Sequence, residues 1–308
     1  MDKLIALYDG LNNKDEINLA AFDTSIDIKN LETGEVIFKG LKNKVILPGS
    51  GLIARKLFDL GSDSEEVTPS YNTAIQGMYT PDFDEDQTDE TVVRKVDKKT
   101  NASADKGNFM NNHKILLYCV GIDGCGTENS QVYPVDYRKW LRPQDMVPFR
   151  FQPVNSDISD DLRETYFGRT TIQCNGADFV AYYFKRFENN PTIIQQYVDG
   201  TQITKDGNVP YDSDKAEAVE TYVELDLKIT KEDIRQFFIA TVGIDEARIN
   251  TLSLCSAYPV IKIEEDRDGN KIERLYFKDI RPVTKLNIPN EQLIDVTKGI
   301  EIIYHIYM

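Results

Sequence analysis

Alternating apolar and polar positions recur along the chain and predict β-strands, in which successive side chains point to opposite faces. The run 222–229 alternates without an error, so that Leu225 and Leu227 fall on one face and Glu224 on the other. This pattern indicates a strand with one buried face. The segment 299–308 alternates in part, and we expect a strand here that is tied into a sheet.

Short turn dipeptides connect several of these runs. A glycine preceded by a polar residue, between alternating apolar segments, is typical of a tight β-hairpin. The chain has three such places: Thr33-Gly34, Asn175-Gly176 and Asp268-Gly269. Three hairpins in one chain predict antiparallel sheet.

Helical periodicity is rare. The best candidate begins at Thr230, where Thr230 and Asp233 resemble a capping box and apolar residues then recur at helical spacing to Val242. A second helix is predicted over 52–60 and a short third one near Ser159. Nothing repeats at the period of a βαβ unit, which argues against a doubly wound parallel sheet. The predicted fold class is therefore α+β, mainly β, with antiparallel hairpins forming a sandwich or barrel-like core.

One stretch differs from the rest of the chain. Large apolar residues nearly vanish between Thr80 and Asn112, so this segment cannot form a core of its own. Long segments of this kind are uncommon in compact domains and are usually functional arms or disordered. We predict one large β-rich domain over 1–308, interrupted by an extended polar arm at about 80–112, with a subdivision near 113 left open.

The charge narrows the range of partners. The chain of 308 residues carries 36 Lys and Arg against 51 Asp and Glu, a formal net charge of −15. Binding to phosphate backbones and to anionic lipid surfaces depends on Lys and Arg, so duplex nucleic acid and membranes are not expected partners. The N-terminal segment has only a short apolar stretch, which predicts neither a signal peptide nor a spanning helix and favours synthesis in a cytoplasm.

Residues that carry chemistry are sparse. The only histidines are His113 and His305, which leaves little room for metal or triad chemistry, and the four cysteines form no CxxC pair. The glycines of 49–51 and 121–126 match neither a phosphate loop nor a dinucleotide fold, and 121–126 is better interpreted as a tight loop or bulge. We therefore predict no catalytic residues, no metal site and no cofactor.

Aromatic residues cluster in three places, two of which also contain Arg. Tyr, Trp and Arg are enriched at interface hot spots, although β-strands also favour the aromatic residues for ordinary packing. The clusters are 133–140, which includes Trp140, 182–187 and 304–307. Together with the polar arm and the C-terminal strand, they favour contacts between subunits.

Two segments resemble virion structural proteins of large tailed bacteriophages. They are 45–58, with the sequence VILPGSGLIARKLF, and 279–307, in which DIRPVTKLNIPN is followed by DVTKGIEIIYHIY. The resemblance implies a component of the head, neck, tail or baseplate, present in symmetric copies. It implies assembly with copies of itself and with other virion proteins after synthesis in the cytoplasm of the host bacterium.

Edge-strand addition is the assembly mechanism that these patterns favour, with the strand 300–307 or the hairpin at Asp268-Gly269 offering unpaired backbone to a neighbour. The candidate interface residues are Leu52, Ile53, Leu57, Tyr137, Trp140, Ile300, Ile302, Tyr304 and Tyr307. Two other functions stay open. One is a polysaccharide or peptidoglycan hydrolase that uses two carboxylates. The other is a carbohydrate- or receptor-binding module built around Trp140.

Overall fold

The structure is a computed structural model of the full chain. It describes residues 24–45, 114–126, 131–135, 145–197, 219–230, 232–244, 247–265, 269–289 and 299–307. The predicted helix 52–60 and the polar arm 80–112 lie outside these residues.

Fourteen strands dominate the described residues and confirm the prediction of a mainly β, α+β fold. In chain order they are β1 (Thr24–Asn30), β2 (Val36–Leu41), β3 (Lys44–Val45), β4 (Lys114–Gly121), β5 (Met146–Val147), β6 (Arg150–Pro153), β7 (Tyr166–Cys174), β8 (Ala177–Arg186), β9 (Thr192–Tyr197), β10 (Val219–Ile229), β11 (Thr251–Glu265), β12 (Lys271–Pro282), β13 (Thr284–Asn287) and β14 (Ile300–Tyr307).

These strands form two sheets, and every strand pair in them is antiparallel. The smaller sheet has the order β2–β1–β14–β10–β9. The larger sheet has nine strands and follows the path β3–β13–β11–β4–β8–β6, with β12 paired to β11, β5 to β4 and β7 to β8. The absence of parallel pairs from the described residues agrees with the predicted lack of βαβ units.

The two sheets share one apolar core. Alternate side chains of the smaller sheet, such as Ile28 and Leu227, are buried together with Tyr118 and Leu254 of the larger sheet. The Tyr118 hydroxyl also reaches across the interface and donates a 2.7 Å hydrogen bond to the Lys228 carbonyl. The described part of the molecule is therefore a sandwich of two sheets, one of the two arrangements that the hairpin pattern predicted.

All three predicted hairpins are present. β7 and β8 meet at Asn175 and Gly176, whose φ angles of 50° and 79° suit the tight turns that join twisted antiparallel strands. The other two hairpins, β1–β2 and β11–β12, have longer connections. The strand predicted over 222–229 is the C-terminal part of β10, and Leu225 and Leu227 point into the core as expected.

Helical structure is limited to short elements in the described residues. A 3-10 turn at Asp161–Glu164 corresponds to the predicted element near Ser159, and another lies at Val154–Ser156. The helix expected to start at Thr230 begins later, at Arg235, and ends at Thr241; we call it α1. The prediction of its start was wrong because Asp233 turns into the core.

A second apolar layer lies apart from the shared core. It contains Cys119 and Cys255 of neighbouring strands, and Phe237 and Ala240 of α1 pack against it. Cys125 is buried as well, while Cys174 is half-buried, and all four thiols are free. Three of the four free thiols are therefore buried in the described structure.

Candidate functional site

A two-stranded ribbon extends from the larger sheet. Among the described residues the pairing of β11 with β4 reaches Ala257, which lies opposite Lys114, the first described residue of β4, whereas the pairing of β11 with β12 continues to Glu265. Beyond Ala257 neither the far edge of β11 nor the outer edge of β12 has a strand partner among the described residues. Eight residues of strand at about 3.3 Å each give the ribbon a length of about 26 Å.

The ribbon is anchored at its base and exposed towards its tip. Phe277 is buried at the base, where its ring meets that of Phe167 edge to face with 4.6 Å between centroids. Ile263, near the tip, is 70% exposed. The segment 258–278 contains five acidic and five basic residues, so it lacks the negative charge excess of the chain as a whole.

The outermost strands of the smaller sheet are β2 and β9. β9, with the sequence TIIQQY, contains no charged residue, and its Ile193 is 58% exposed. Natural edge strands usually carry charges or proline that prevent pairing with another chain. β9 lacks both, and among the described residues it pairs only with β10.

The C-terminal strand does not offer such an edge. β14 pairs with β1 on one side and with β10 on the other over nearly its whole length, and Ile300, Ile302 and Tyr304 are buried in the core. The expectation of unpaired backbone at 300–307 was therefore wrong. Tyr307 is half-buried, with its ring 5.3 Å from that of Tyr222.

The remaining candidate interface residues, which are Leu52, Ile53, Leu57, Tyr137 and Trp140, lie outside the described residues. Their assignment to an interface stays a prediction.

A buried polar cluster surrounds Asp233, which is fully buried just before α1. One carboxylate oxygen, Oδ2, accepts hydrogen bonds from the Lys185 ammonium at 3.1 Å and from the Thr230 backbone N–H at 2.9 Å. The other, Oδ1, accepts one from the Tyr166 hydroxyl at 2.7 Å and lies 3.6 Å from Nη2 of Arg150. Arg150 also donates to the Tyr166 hydroxyl at 2.8 Å. The carboxylate is thus satisfied on both oxygens by groups from distant parts of the chain.

Lys185 is only 1% exposed, and its ammonium meets three acceptors. Besides Asp233 these are the Lys228 carbonyl at 2.7 Å and Oε1 of Glu188 at 3.1 Å.

Burial raises the pKa of Tyr118, which shares the Lys228 carbonyl, and it also raises the pKa of Tyr166, with a further contribution from the Asp233 charge. Both hydroxyls therefore remain protonated donors over the ordinary pH range.

The residue after Asp233 has an unusual backbone. Ile234 has a φ of 58°, a left-handed conformation that is costly for a β-branched residue. Its side chain is buried, and its N–H donates to the Phe149 carbonyl at 2.9 Å. These interactions hold the turn that directs Asp233 inward.

A second carboxylate cluster lies nearer the surface. Asp157 accepts hydrogen bonds from the Tyr182 hydroxyl, from the backbone N–H of Ile158 and from the guanidinium groups of Arg163 and Arg169. Partial burial on its own would raise the pKa of Asp157, but these hydrogen bonds outweigh that effect and hold the pKa below its ordinary value.

A third cluster contains the ion pair between Lys285 and Asp123, just after the end of β4. Their Nζ and Oδ2 atoms are 2.6 Å apart, and the Thr251 hydroxyl donates to the other carboxylate oxygen at 2.8 Å. The next position, Gly124, has no room for a side chain, because a Cβ atom there would lie 2.2 Å from the Asn250 carbonyl oxygen. The loop after β4 is therefore a packed turn, as the sequence predicted.

The sequence contained weak signals for the buried cluster. Lys185 interrupts a run of aromatic residues, Tyr182-Tyr183-Phe184, and a lysine in such a run needs a partner when it is buried. Asp233 was interpreted as part of a capping box, and its carboxylate does accept the Thr230 N–H, but it also contacts Lys185, which is 48 residues away.

No group of three or more His, Cys, Asp or Glu side chains suited to a metal ion is found among the described residues. Within the same residues, no helix has the length and apolar character needed to span a membrane.

Comparison with known proteins gives a partial match. Residues 126–213 are similar to a protein family described as a family of unknown function (DUF7208). The match covers less than a third of the 308 residues and contains Lys185 and Glu188 but not Asp233. No curated protein and no solved structure matches the chain significantly.

Proposed function

We propose that the protein is a non-enzymatic structural subunit that assembles with copies of itself by adding strands at sheet edges. The β11–β12 ribbon of one copy pairs with β9 of the next copy. The observation that carries this proposal is the β11–β12 ribbon, whose Ile263 near the tip is 70% exposed. Main-chain hydrogen bonds supply the affinity in this kind of contact.

The charge distribution supports a second copy as the partner. A net charge of −15 makes two copies repel each other unless their contact surfaces are close to neutral. The ribbon segment 258–278 has balanced charges and β9 has none. These are two different surfaces of one molecule, so their contact is head to tail and generates a ring or a filament.

The assignment of this assembly to a tailed-phage virion rests on the resemblance of 45–58 and 279–307 to virion structural proteins. Rings and tubes are the forms that a head-to-tail contact produces, and they are compatible with a neck, tail or baseplate position. We propose this location together with the assembly function.

The described carboxylates favour this function over the hydrolase alternative. Acid-base hydrolysis needs two carboxyl groups that face a substrate cleft, one of them ready to give up a proton. Asp157 and Asp233 instead accept hydrogen bonds on both oxygens from the chain's own donors. The chain's own donors thus occupy both oxygens of each carboxylate, which does not suit proton transfer to a polysaccharide.

The test is the solution mass of the purified full chain by size exclusion with light scattering, over a tenfold range of concentration. We expect a discrete oligomer, and we expect Ile263→Lys or Ile193→Lys to convert it to monomer, because each places a charge on one of the two pairing surfaces. Val242→Lys is the matched control, since Val242 is a 63% exposed residue beyond the end of α1, on neither surface.

Mixing the two variants tests the head-to-tail geometry. Ile263→Lys retains an intact β9 and Ile193→Lys retains an intact ribbon, so the mixture should form a dimer and stop there. Wild-type protein that stays monomeric at every concentration would contradict the proposal. A mixture that stays monomeric would contradict the pairing of these two surfaces.

Negative-stain imaging of the wild-type oligomer tests the form of the assembly. Closed rings or regular tubes are expected, and irregular aggregates would contradict the proposed location.

A further inference from the structure

The cluster around Asp233 brings the amine of Lys185 into contact with two carboxylates, those of Asp233 and Glu188. Lys185 lies at the end of β8, and its Nζ is 3.1 Å from Oδ2 of Asp233 and 3.1 Å from Oε1 of Glu188. Lys185 and Asp233 are almost completely buried, whereas the Glu188 side chain is 41% exposed. The surrounding core contains Tyr118 and Phe149.

We propose that Lys185 and Asp233 condense to an isopeptide bond within the chain, and that Glu188 is the catalytic residue that moves the proton. The bond would join β8 to the turn before α1 covalently. It would be a chemical modification of the chain itself, distinct from the assembly contacts proposed above.

The reaction balances without any further reactant. Glu188 accepts one proton from the Lys185 ammonium and leaves a neutral amine, whose lone pair attacks Cγ of Asp233. The C–Oδ2 bond then breaks, and the departing oxygen leaves as water with two protons that were originally on Nζ, one of them carried by Glu188. Ammonium and carboxylate thus become amide and water, and Glu188 returns to its starting state.

The contacts of Asp233 suit the intermediate of this reaction. Negative charge develops on Oδ1 while the tetrahedral intermediate exists, and preorganised donors at such an oxygen lower the barrier. Oδ1 already accepts a hydrogen bond from the Tyr166 hydroxyl at 2.7 Å and lies 3.6 Å from the Arg150 guanidinium. The leaving oxygen, Oδ2, is held by the Thr230 N–H at 2.9 Å.

The reacting atoms are held in place before the reaction. Two reactive groups in contact inside a rigid site react as if at very high concentration, because the entropy of bringing them together has already been lost. The strained φ of 58° at Ile234 fixes the backbone next to Asp233, and the Lys228 carbonyl fixes Nζ at 2.7 Å. After condensation the amide N–H keeps one of the acceptors that now surround Nζ.

The Lys285–Asp123 pair is an internal comparison. Its two atoms are closer, at 2.6 Å, but Asp123 is 19% exposed, and Asp123 is the only carboxylate ion-paired with Lys285 in the described part of the chain. Proximity alone would therefore favour condensation at Lys285. The proposal instead requires burial and a second carboxylate, and it places the bond at Lys185.

The test is the intact mass of the purified full chain under denaturing conditions. We expect wild-type protein to be lighter than its sequence by one water molecule. Proteolysis should yield a branched peptide that joins residues 185 and 233, and trypsin should not cleave after Lys185. Lys285→Arg is the control and should lose one water molecule as the wild type does.

Three variants examine the chemistry. Glu188→Gln should retain the fold, because the side chain is partly exposed, and should retain its full mass or lose water far more slowly. Lys185→Arg should retain its full mass, since a guanidinium does not serve as the nucleophile. Asp233→Asn should give the same cross-linked product by releasing ammonia instead of water.

A folded wild-type chain with its full sequence mass would overturn the proposal, and so would a water loss that fragmentation assigns to another site. Loss of water from Glu188→Gln at the wild-type rate would overturn the role of Glu188. The intact mass is independent of the oligomeric state, so these results and those for assembly are separate.

Discussion

Asp157 and Asp233 are bound by the same kinds of donor at different depths of the molecule. Each accepts a hydrogen bond from a tyrosine hydroxyl of the β7–β8 hairpin, namely Tyr182 and Tyr166 respectively. Each also accepts one from a backbone N–H and further bonds from cationic side chains. The two clusters therefore differ more in the burial of the carboxylate than in the types of donor that bind it.

The two carboxylates also differ in burial and in the cation that pairs with them. Asp157 is 12% exposed and is paired with two arginines, whose planar guanidinium groups give strong hydrogen bonds and remain charged. Asp233 has no exposed surface, and its closest cation is a lysine, whose amine becomes a nucleophile once it loses a proton. Similar tyrosine and backbone donors thus surround both carboxylates, but arginines complete the outer cluster, whereas the inner one has the lysine that the proposed condensation requires.

The largest effect is expected from removing the buried cation. In the Glu188→Gln background, which keeps Lys185 and Asp233 as an uncondensed ion pair, Lys185→Met should lower the free energy of unfolding by about 3–5 kcal/mol, because it leaves the Asp233 charge buried without its closest cation. Urea denaturation measures the change. The double variant Lys185→Met with Asp233→Leu is the control and should recover most of the loss, whereas a cost below about 1 kcal/mol for the single variant would contradict this account.

The corresponding change in the outer cluster should cost less. Asp157→Asn should lower the free energy of unfolding by about 1–2 kcal/mol, because hydrogen bonds to a charged group are lost while the two arginines can turn towards water. The same denaturation experiment measures it. A loss of stability as large as that of Lys185→Met would show that burial does not determine the cost of breaking these clusters.

Acid should remove the contribution of Asp157. The folded state holds the pKa of Asp157 below its ordinary value, so its contribution to stability is present above the unfolded-state pKa of about 3.9 and disappears as the pH falls through the folded-state pKa. The stability difference between wild type and Asp157→Asn should therefore shrink below about pH 4. Denaturation at a series of pH values measures it, and a difference that is constant or grows in acid is the contrary result.

Salt should have the smallest effect and should act on one cluster only. At about 1 M salt the screening length is about 3 Å, which weakens interactions between partly exposed charges. The effect of Asp157→Asn should fall by about 0.5 kcal/mol, while the effect of Lys185→Met should change little because Asp233, whose charge it leaves without its closest cation, has no exposed surface. If salt reduced the stability effects of the two variants equally, the prediction that burial protects the Asp233 cluster from screening would be wrong.

The local parts of this fold follow from sequence patterns, because their causes are local. Alternation located β10, and Asn175-Gly176 located a tight turn, since a two-residue hairpin depends only on its own backbone. The start of α1 was misplaced for a nonlocal reason. Asp233 reads as a capping residue in sequence, but its carboxylate binds Lys185 of a strand that lies 48 residues earlier.

The position of a strand within its sheet was not predictable in the same way. Alternation in 300–307 indicated a strand correctly but carried no information about its neighbours. Both edges of β14 are occupied by strands from distant parts of the chain, so the candidate interface residues Ile300, Ile302 and Tyr304 are core residues. The buried cluster was not predictable for the same reason, since its members come from four separate segments: Arg150, Tyr166, 185–188 and 228–233.

The place of β14 between β1 and β10 also sets an order of folding. Its residues pair with 24–30 on one side and with 222–229 on the other, so the five-stranded sheet consists of two halves, β2–β1 and β10–β9, that only the last strand can join. Contacts between residues so far apart in sequence form slowly. During synthesis the two halves cannot be joined through β14 until residue 307 has left the ribosome, so the five-stranded sheet is completed only after its last described strand has been translated.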